Sequence, residues 1–296
     1  MPYSGQNYEF LFTAQWGELK ETAVEAARNK NVFRYRAKTI KCGDVLEIEI
    51  FPIWNTQNEV RAAKANTTRE AQANVNERNA KKSLIRKINT NFSAADLHIT
   101  LTYSRGELPN EETARRDMRN FIRRVRNYHK KHNLPVLKYV YVIEFYSGDG
   151  RRTRVHHHVI MSGGADRQDV KSLWPYGRAR VDELEPEDGT LEGLARYITK
   201  QPGKIIQTKR WAASRNLRPY DKVTFSDTKI SKKQAERLAA DMSEAAPAIF
   251  GKLFKDYTFD DCTVKGSEYV SGAYIYAKMY KTVTWKRNEK WTATKR

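Results

Sequence analysis

The most regular patterning of the chain lies in its central third, where a strand pattern directly precedes a long amphipathic helix. Residues 97–103 (LHITLTY) alternate apolar and polar side chains, which is typical of a half-buried strand. Residues 111–132 have apolar positions three and four apart, and Asn110 is a suitable N-cap. We therefore expect a helix that packs back on a sheet containing the first strand.

Further strand patterns follow this helix. Residues 137–146 (LKYVYVIEFY) and 153–161 (TRVHHHVIM) flank the turn-rich segment SGDGRR, which predicts a β-hairpin. The strand-like segment GRARVDEL then precedes a helix predicted at about 191–200. The order βα-ββ-(α)βα over residues 96–205 predicts an α+β fold, with a ferredoxin-like antiparallel sheet and helices packed on one face.

Less regular segments flank this pattern on both sides. Residues 33–54 alternate around a Cys-Gly-Asp turn and predict a hairpin, and residues 67–89 are helical in composition. A helix near 232–242 and Tyr- and Val-rich strands from about 250 to 285 are predicted at the other end. We therefore expect three parts: a basic N-terminal hairpin-and-helix extension (1–95), the ferredoxin-like domain (96–205) and a basic C-terminal α+β extension (206–296).

The charge balance restricts the class of partner. The chain of 296 residues has 54 Lys and Arg against 35 Asp and Glu, which gives a formal net charge of +19. Each phosphate that a Lys or Arg neutralises releases a counterion, so this excess favours a nucleic-acid partner. Basic clusters lie at 115–131, 199–222 and 281–296, and Trp285 and Trp291 in the last of them suit stacking of single-stranded bases.

Nothing in the sequence indicates a membrane-bound or secreted protein. It contains no run of about 18 apolar residues, so no transmembrane helix is predicted. Its start lacks the basic and apolar regions of a secretory signal. The two cysteines, Cys42 and Cys262, are compatible with a reducing compartment. We expect a cytoplasmic protein without a membrane partner.

Three consecutive histidines, His156, His157 and His158, are the strongest candidate for a metal site. Side chains at i and i+2 of a strand share a face, so His156 and His158 project together while His157 points the other way. The face of Glu144 depends on the register of the hairpin. Glu144 lies on the face of His156 and His158 if the residue numbers of paired positions add to an even number, as with 144 and 156. It lies on the opposite face if that sum is odd. Two imidazoles and a carboxylate leave coordination positions open, as in catalytic sites. Mg²⁺ or Mn²⁺ suits a phosphate-handling site, and the ligand types also allow zinc.

The predicted helix LEGLARYITKQP places Tyr197 and Lys200 on one face, because residues three apart are neighbours on a helix. A phenol needs assistance to attack a phosphate at neutral pH, and a metal that polarises the phosphate supplies it. A Tyr-x-x-Lys pair alone is a weak signal, since the chain has 16 tyrosines and 54 Lys and Arg. Its value depends on its position among the other motifs.

Three motifs in order resemble those of the HUH endonuclease superfamily, specifically the rolling-circle replication initiator (Rep) proteins of phages, plasmids and related prophage elements. They are ITLTYS (99–104), VHHHVIM (155–161) and YITK (197–200). The segment WAASRNLRPY (211–220) is also similar to a stretch that follows the tyrosine helix in phage-type members. The resemblance covers about residues 96–205.

This resemblance implies metal-dependent, site-specific nicking and rejoining of single-stranded DNA at a replication origin. It implies that His156, His158 and Glu144 hold Mg²⁺ or Mn²⁺. Tyr197 would attack the scissile phosphate, and Lys200 would stabilise the developing charge. The expected products are a 5′-phosphotyrosine link and a free 3′-OH that a polymerase can extend.

The sequence departs from the family pattern at two places. The residue between the metal histidines is usually bulky and apolar, and here it is His157, which would be a ligand itself in a shifted register. Positions 193 and 194 are Gly and Leu, so no second tyrosine lies one turn before Tyr197. Termination would then need a second subunit or another nucleophile. No GxxxxGK[ST] motif occurs, so we expect a host helicase to unwind the strands and a host polymerase to extend them.

Two alternative functions stay open on the sequence. A single-tyrosine transposase or a mobilisation relaxase would use the same chemistry, although relaxases usually place the tyrosine before the histidines. A non-catalytic nucleic-acid-binding module would share the sheet type, as in RNA-recognition domains, but the chain has no match to their aromatic RNP motif. Formation of a metal-dependent covalent adduct with DNA distinguishes the enzymes from the binding module, because the module would form none.

Overall fold

Two antiparallel β-sheets and the helices packed on them form the part of the chain that the computed structural model describes. The described residues are 3–4, 6, 11–12, 19–104, 109–146, 152–184, 191, 211–220, 222–267 and 269–282. The α+β class expected from the sequence is confirmed. None of the helices within these ranges is long and apolar enough to cross a membrane.

The strands and helices of the described residues are numbered in chain order. The strands are β1 (Tyr3–Ser4), β2 (Val32–Cys42), β3 (Val45–Trp54), β4 (Leu97–Thr102), β5 (Tyr139–Tyr146), β6 (Arg152–Met161), β7 (Ala179–Glu183), β8 (Trp211–Ala213), β9 (Lys222–Ser226), β10 (Tyr257–Lys265) and β11 (Tyr274–Lys281). The helices are α1 (Leu19–Arg28), α2 (Asn58–Ala65), α3 (Arg69–Asn91), α4 (Glu111–Lys131), α5 (Arg167–Ser172), α6 (Lys232–Ala240) and α7 (Met242–Leu253).

The central sheet has the strand order β7-β4-β6-β5-β8, and all neighbouring strands are antiparallel. Along the chain its elements run β4-α4-β5-β6-α5-β7. The strands β7-β4-β6-β5 therefore have the order of a ferredoxin-like sheet, as the sequence predicted. β8 adds a fifth strand beside β5, where Trp211 lies opposite Val142.

Helices α4 and α5 cover one face of the central sheet, the helix face. α4 begins where the side chain of Asn110 accepts a 2.8 Å hydrogen bond from the backbone N–H of Thr113, which satisfies a donor of the first turn. Its buried apolar positions recur every three or four residues: Ala114, Met118, Phe121, Ile122 and Val125. They pack against odd-numbered residues of the strands, such as Ile99 and Val159. This is the stripe that the sequence spacing predicted.

The opposite face of the central sheet, the polar face, is partly covered by α3. Leu84 and Ile88 of α3 pack with Val140, Val142 and Ile160 of the sheet. α3 occupies the region whose composition predicted a helix, but it lies outside the segment 96–205. One part of the polar face is therefore closed by a helix from the N-terminal flank.

The outer sheet combines strands from both flanks of the chain. Its order is β10-β11-β3-β2-β9, and β1 pairs with β3. β2 and β3 form the predicted hairpin, and its Gly43 has a φ of 60°, which suits the first position of a two-residue turn. The sequence suggested separate extensions at 1–95 and 206–296, whereas their strands share one sheet because β11 pairs directly with β3. The domain boundaries themselves stay a prediction.

Two helices lie where the sequence predicted other structure. α1 forms within residues 1–30, which showed no clear periodicity. α7 continues to Leu253, although strands were predicted from about residue 250. Its buried residues Ala245, Ala246, Ile249 and Phe250 have helical spacing, and the side chain of Asp241 caps its first turn. The strands of this region start only at Tyr257.

Buried ion pairs hold α3 against the outer sheet. Nη2 of Arg86 lies 2.6 Å from Oε2 of Glu47 and 2.8 Å from Oε1 of Glu49. Nζ of Lys38 lies 2.8 Å from the other oxygen of Glu49. Burial raises the pKa of Glu49, but attraction by Arg86, Lys82 and Lys38 outweighs burial and lowers this pKa to about 2. α3 is thus fixed by charged contacts on one side and by apolar contacts on the other.

Candidate functional site

Three potential metal ligands meet on the polar face of the central sheet. β5 and β6 pair so that Glu144 lies opposite His156 and Val142 lies opposite His158. Directly opposite residues in an antiparallel pair share a face, so Glu144 joins the two histidines and the register is the even one. One ligand atom from each of Glu144, His156 and His158 lies within 4.8 Å of the other two.

The donor set of these three side chains fits a divalent metal ion. His158 is buried, His156 is half-buried, and the side chain of Glu144 is 28% exposed. Nε2 of His158 lies 3.4 Å from Oε2 of Glu144, and the rings of His156 and His158 are 6.4 Å apart at an angle of 83°. Two imidazole nitrogens and one carboxylate oxygen can hold an ion while other coordination positions stay open.

The surroundings favour the neutral form of His156 and His98 on this face. Burial lowers the pKa of His156, with smaller contributions from His158 and Arg154, against the opposite effect of Glu144. Burial, followed by repulsion from His158, also lowers the pKa of His98 to about 4. A neutral imidazole offers its lone pair to a metal, so no proton has to be displaced from these groups at neutral pH.

His157 lies on the helix face, as the strand alternation predicted. It is fully buried, and its ring lies 5.3 Å from that of Trp174. Nε2 of His157 is 3.2 Å from the hydroxyl of Tyr103, which itself donates a 3.2 Å hydrogen bond to Asp117. The tyrosine oxygen therefore accepts from His157, which requires a proton on Nε2. Burial lowers the pKa of His157 to about 3, so the ring that donates at neutral pH is the neutral Nε2–H tautomer. His157 and Glu144 are on opposite faces, so the shifted register is not the one that the chain adopts.

Tyr197 and Lys200 lie outside the described residues, but residues on both sides of them are described. Leu191 is buried in the cluster of α3 and the polar face, and its N–H donates a 3.2 Å hydrogen bond to Oδ1 of Asn89. Trp211 packs against the same cluster, and Nζ of Lys87 lies 5.1 Å from the centre of its ring. The described residues on either side of 192–210, Leu191 and Trp211, therefore both lie beside the polar face.

A comparison with models of protein families identifies the same region. Residues 96–202 match the model described as replication-associated protein ORF2/G2P. This region of the chain is similar to that family. The match covers about a third of the chain and includes both the three metal-site residues and Tyr197. Comparisons with curated proteins and with solved structures gave no match.

The match confirms the resemblance to replication initiators that the motifs indicated. It fits a role in the initiation of replication, and the family description implies DNA as a partner. The matched region, called the replication-associated domain after that description, also contains the potential metal site formed by Glu144, His156 and His158.

Sequence reasoning assigned no role to His98, yet it lies beside the potential metal ligands. Its ring stacks on that of His158 at 5.9 Å between centroids, and Asp182 of β7 lies opposite it. Within the described part of the chain, Nε2 of His98 has no hydrogen-bond partner. The alternation of β4 puts His98 on the polar face, but its contact with His158 depends on β4 and β6 being neighbours. No local pattern contains that information.

Proposed function

We propose that the replication-associated domain nicks and rejoins single-stranded DNA at a replication origin and thereby initiates rolling-circle replication. The observation that carries the proposal is the meeting of Glu144, His156 and His158 on the polar face of a domain that matches a replication-associated family. Glu144 keeps part of its side chain exposed, so the site is accessible to a DNA strand.

Mg²⁺ or Mn²⁺ is the proposed cofactor, held by Glu144, His156 and His158. When bound, the ion polarises a phosphate oxygen and makes the phosphorus more susceptible to attack. The three side chains supply one ligand atom each, which leaves positions for phosphate oxygens and water. The rigid pairing of β5 with β6 fixes the ligands relative to each other before DNA binds.

Tyr197 is the proposed nucleophile of the nicking reaction. Its phenolic oxygen bonds to phosphorus while the bond from phosphorus to the 3′ oxygen breaks. The phenolic proton leaves to solvent, and the 3′ oxygen takes up a proton, which yields a free 3′-OH and a 5′-phosphotyrosine link. Lys200, three residues further on, is proposed to stabilise the negative charge on the departing oxygen.

The described residues around this stretch support the assignment of Tyr197. Leu191 is buried beside the polar face, and Tyr197 follows it by only six residues. Six residues span at most about 20 Å when fully extended. Trp211 then returns the chain to the central sheet, where it pairs with Val142. The short distance in sequence from Leu191 to Tyr197 supports the proposal that this tyrosine acts at the polar face.

Rejoining is the reverse of the same reaction, because the phosphotyrosine link is itself a phosphodiester. A free 3′-OH attacks the phosphorus, the bond to Tyr197 breaks, and the phenol takes up a proton. Residues 193 and 194 are Gly and Leu, so we propose that a second subunit or another nucleophile serves the second transfer. A host helicase and polymerase in the cytoplasm of a bacterial host are the proposed partners.

The test is a denaturing gel of the protein incubated with pooled single-stranded oligonucleotides that cover its own replicon, with Mn²⁺ or with EDTA. Wild type is compared with Tyr197→Phe and with the matched control Tyr269→Phe. Tyr269 is a half-exposed tyrosine that follows the last strand of the central sheet by more than 50 residues. We expect a covalent adduct that needs Mn²⁺, persists in Tyr269→Phe and is lost in Tyr197→Phe.

Two other results would contradict the proposal. An adduct that persists in Tyr197→Phe would show that another residue is the nucleophile. The absence of any adduct with the wild type would point to a DNA-binding module without catalysis.

A further inference from the structure

A polar cleft lies between α3 and the outer sheet. It encloses about 440 Å³, a volume typical of sites for small organic ligands. Its lining includes the buried residues Phe51 and Tyr274 of the outer sheet and Val75 of α3. None of the three metal-site residues lines it. The cleft is therefore a second candidate site, distinct from the metal site.

α3 contributes a continuous stripe of side chains to this cleft. The members of the stripe are three or four residues apart along the helix: Gln72, Val75, Asn79, Ser83 and Arg86. This spacing places them on one side of the helix. Leu84 and Ile88 pack instead on the central sheet. The same helix thus closes part of the polar face and forms one wall of the cleft.

The cations in the cleft already have carboxylate partners. Nζ of Lys38 lies 2.8 Å from Glu49, and Arg86 contacts both Glu47 and Glu49. A phosphate in the cleft would have to separate these buried pairs and leave carboxylates without counter-charge, which is costly. The cleft therefore suits a neutral polar ligand better than a free anion.

Amide and hydroxyl groups supply the remaining polar lining. Within the described part of the chain, the side-chain amide of Asn79 has no hydrogen-bond partner, so both its donor and its acceptor are available. The hydroxyl of Tyr220 donates to Ser83 at 2.9 Å and keeps an acceptor position. Donors and acceptors side by side match the edge of a nucleobase, and the half-buried Tyr220, which also lines the cleft, provides an aromatic ring for its face.

Basic residues of α3 beside the cleft suit the phosphates of a DNA strand. Arg78 and Lys81 flank Asn79 closely in sequence and are only half-buried. Nζ of Lys82, in contrast, already has partners, since it lies 3.7 Å from Oε1 of Glu49 and 4.7 Å from the centre of the Tyr276 ring. A strand that places one base in the cleft would bring its backbone to this basic helix, where counterion release favours binding.

We propose that the cleft binds a single unstacked nucleobase. The proposal rests on the proposed function, which makes single-stranded DNA the source of that base. A free nucleotide carries the same base, so the two sources must be separated by experiment. Bound in this way, one base would be read by α3 while another part of the strand reaches the metal site.

The test compares Asn79→Trp, which fills the cleft, with the matched control Asn74→Trp. Both are exposed asparagines of α3, and only Asn79 lines the cleft. Binding of the full chain to labelled homopolymers of deoxyadenosine, deoxycytidine and thymidine is measured by fluorescence anisotropy in EDTA. We expect wild type and Asn74→Trp to prefer one homopolymer by about tenfold, because hydrogen bonds to one base discriminate by about that factor. Asn79→Trp should bind all three alike.

A second variant, Asn79→Ala, removes the amide without filling the cleft, and we expect it to weaken the preference in the same direction. Equal preferences in wild type and both Asn79 variants would overturn the proposal. In a second arm, free deoxynucleoside monophosphates compete with the homopolymers. Saturable binding of a monophosphate that is lost in Asn79→Trp, with homopolymer binding unchanged, would identify the free nucleotide as the source.

The outcome is independent of the adduct test. Binding in EDTA requires neither metal nor covalent chemistry. A protein that forms the Tyr197 adduct but shows no cleft-dependent preference would disprove the cleft proposal alone. A protein that shows the preference without forming an adduct would disprove the nicking reaction alone.

Discussion

The two faces of the central sheet carry histidines at neighbouring positions of one strand, in opposite surroundings. On the polar face, His156 and His158 lie with Glu144, and part of the carboxylate is exposed. On the helix face, His157 is enclosed by Tyr103 and Trp174. The residue type is the same, so the difference comes from the residues on the adjoining strands and helices.

This comparison shows how strand alternation separates two roles within three residues. The polar face brings lone pairs together around an open position, which is what a metal requires. The helix face uses an imidazole as a packing group, with its N–H bonded and its proton-binding form disfavoured. Substitutions on the polar face should therefore change metal-dependent adduct formation, whereas substitutions on the helix face should change the free energy of unfolding.

The largest effect is expected from His158→Ala on the polar face. Loss of one of three ligands should reduce Mn²⁺-dependent adduct formation about 1,000-fold, since a catalytic metal contributes several kcal/mol. The control is His157→Phe, which changes the adjacent residue on the other face and should keep the adduct. Quantifying adduct on a gel over a time course checks both. Comparable losses of adduct in the two variants would contradict the assignment of separate roles to the two faces.

The next effect is expected from Arg86→Ala, which removes the cation that holds α3 against the outer sheet. Glu47 and Glu49 would be left buried without it, so the free energy of unfolding should fall by about 3–5 kcal/mol. Urea denaturation measures the loss, and hydrogen exchange locates it. Exchange should increase in α3 and leave α4 on the helix face protected. A uniform increase over both helices would show that the two faces are not independently supported.

A smaller loss of stability is expected from His157→Ala on the helix face. The variant leaves a cavity beside Trp174 and removes the donor to Tyr103, so unfolding should require about 2–3 kcal/mol less. Mn²⁺ affinity, measured by calorimetry, should change less than about threefold. A fall in affinity beyond tenfold would show that the helix face positions the metal ligands.

The smallest effect, counted per unit of pH, is expected from acid acting on the support of α3. The pKa of Glu49 lies at about 2, below the ordinary value of 4.5, so its contribution is complete above pH 4.5 and is lost as the pH falls towards 2. Stability should decline in this window by at most about 1.4 kcal/mol per pH unit from this group. Glu49→Gln should flatten the decline, measured by urea denaturation across pH, whereas the exposed Glu112→Gln should not.

Local patterns predicted those parts of the fold and site that depend on neighbouring residues. The period of two along β6 was enough to place His156 and His158 on one face and His157 on the other. The helical spacing of α4 predicted its buried stripe for the same reason. The sequence left both the even and the odd register open, and the observed pairing of Glu144 with His156 puts this carboxylate on the same face.

Contacts between distant segments were not predictable in this way. His98 meets His158 because β4 lies beside β6, and α3 covers the polar face because Leu84 and Ile88 pack there. Both depend on which elements become neighbours, and many arrangements bury similar apolar area. The union of the two flanks in one outer sheet has the same cause, since β3 and β11 pair across most of the chain.

The pairing of β3 with β11 also has a consequence for the order in which the chain can fold during synthesis. Every residue of β3 is buried in the finished protein, yet one of its edges pairs with β11. Between Trp54 and Tyr274 the ribosome must add roughly 220 residues, which takes on the order of 10–40 s at usual rates. During that time the nascent hairpin exposes an apolar strand edge, the kind of surface that aggregates or recruits a chaperone. A product that terminates before Tyr274 would expose that edge permanently.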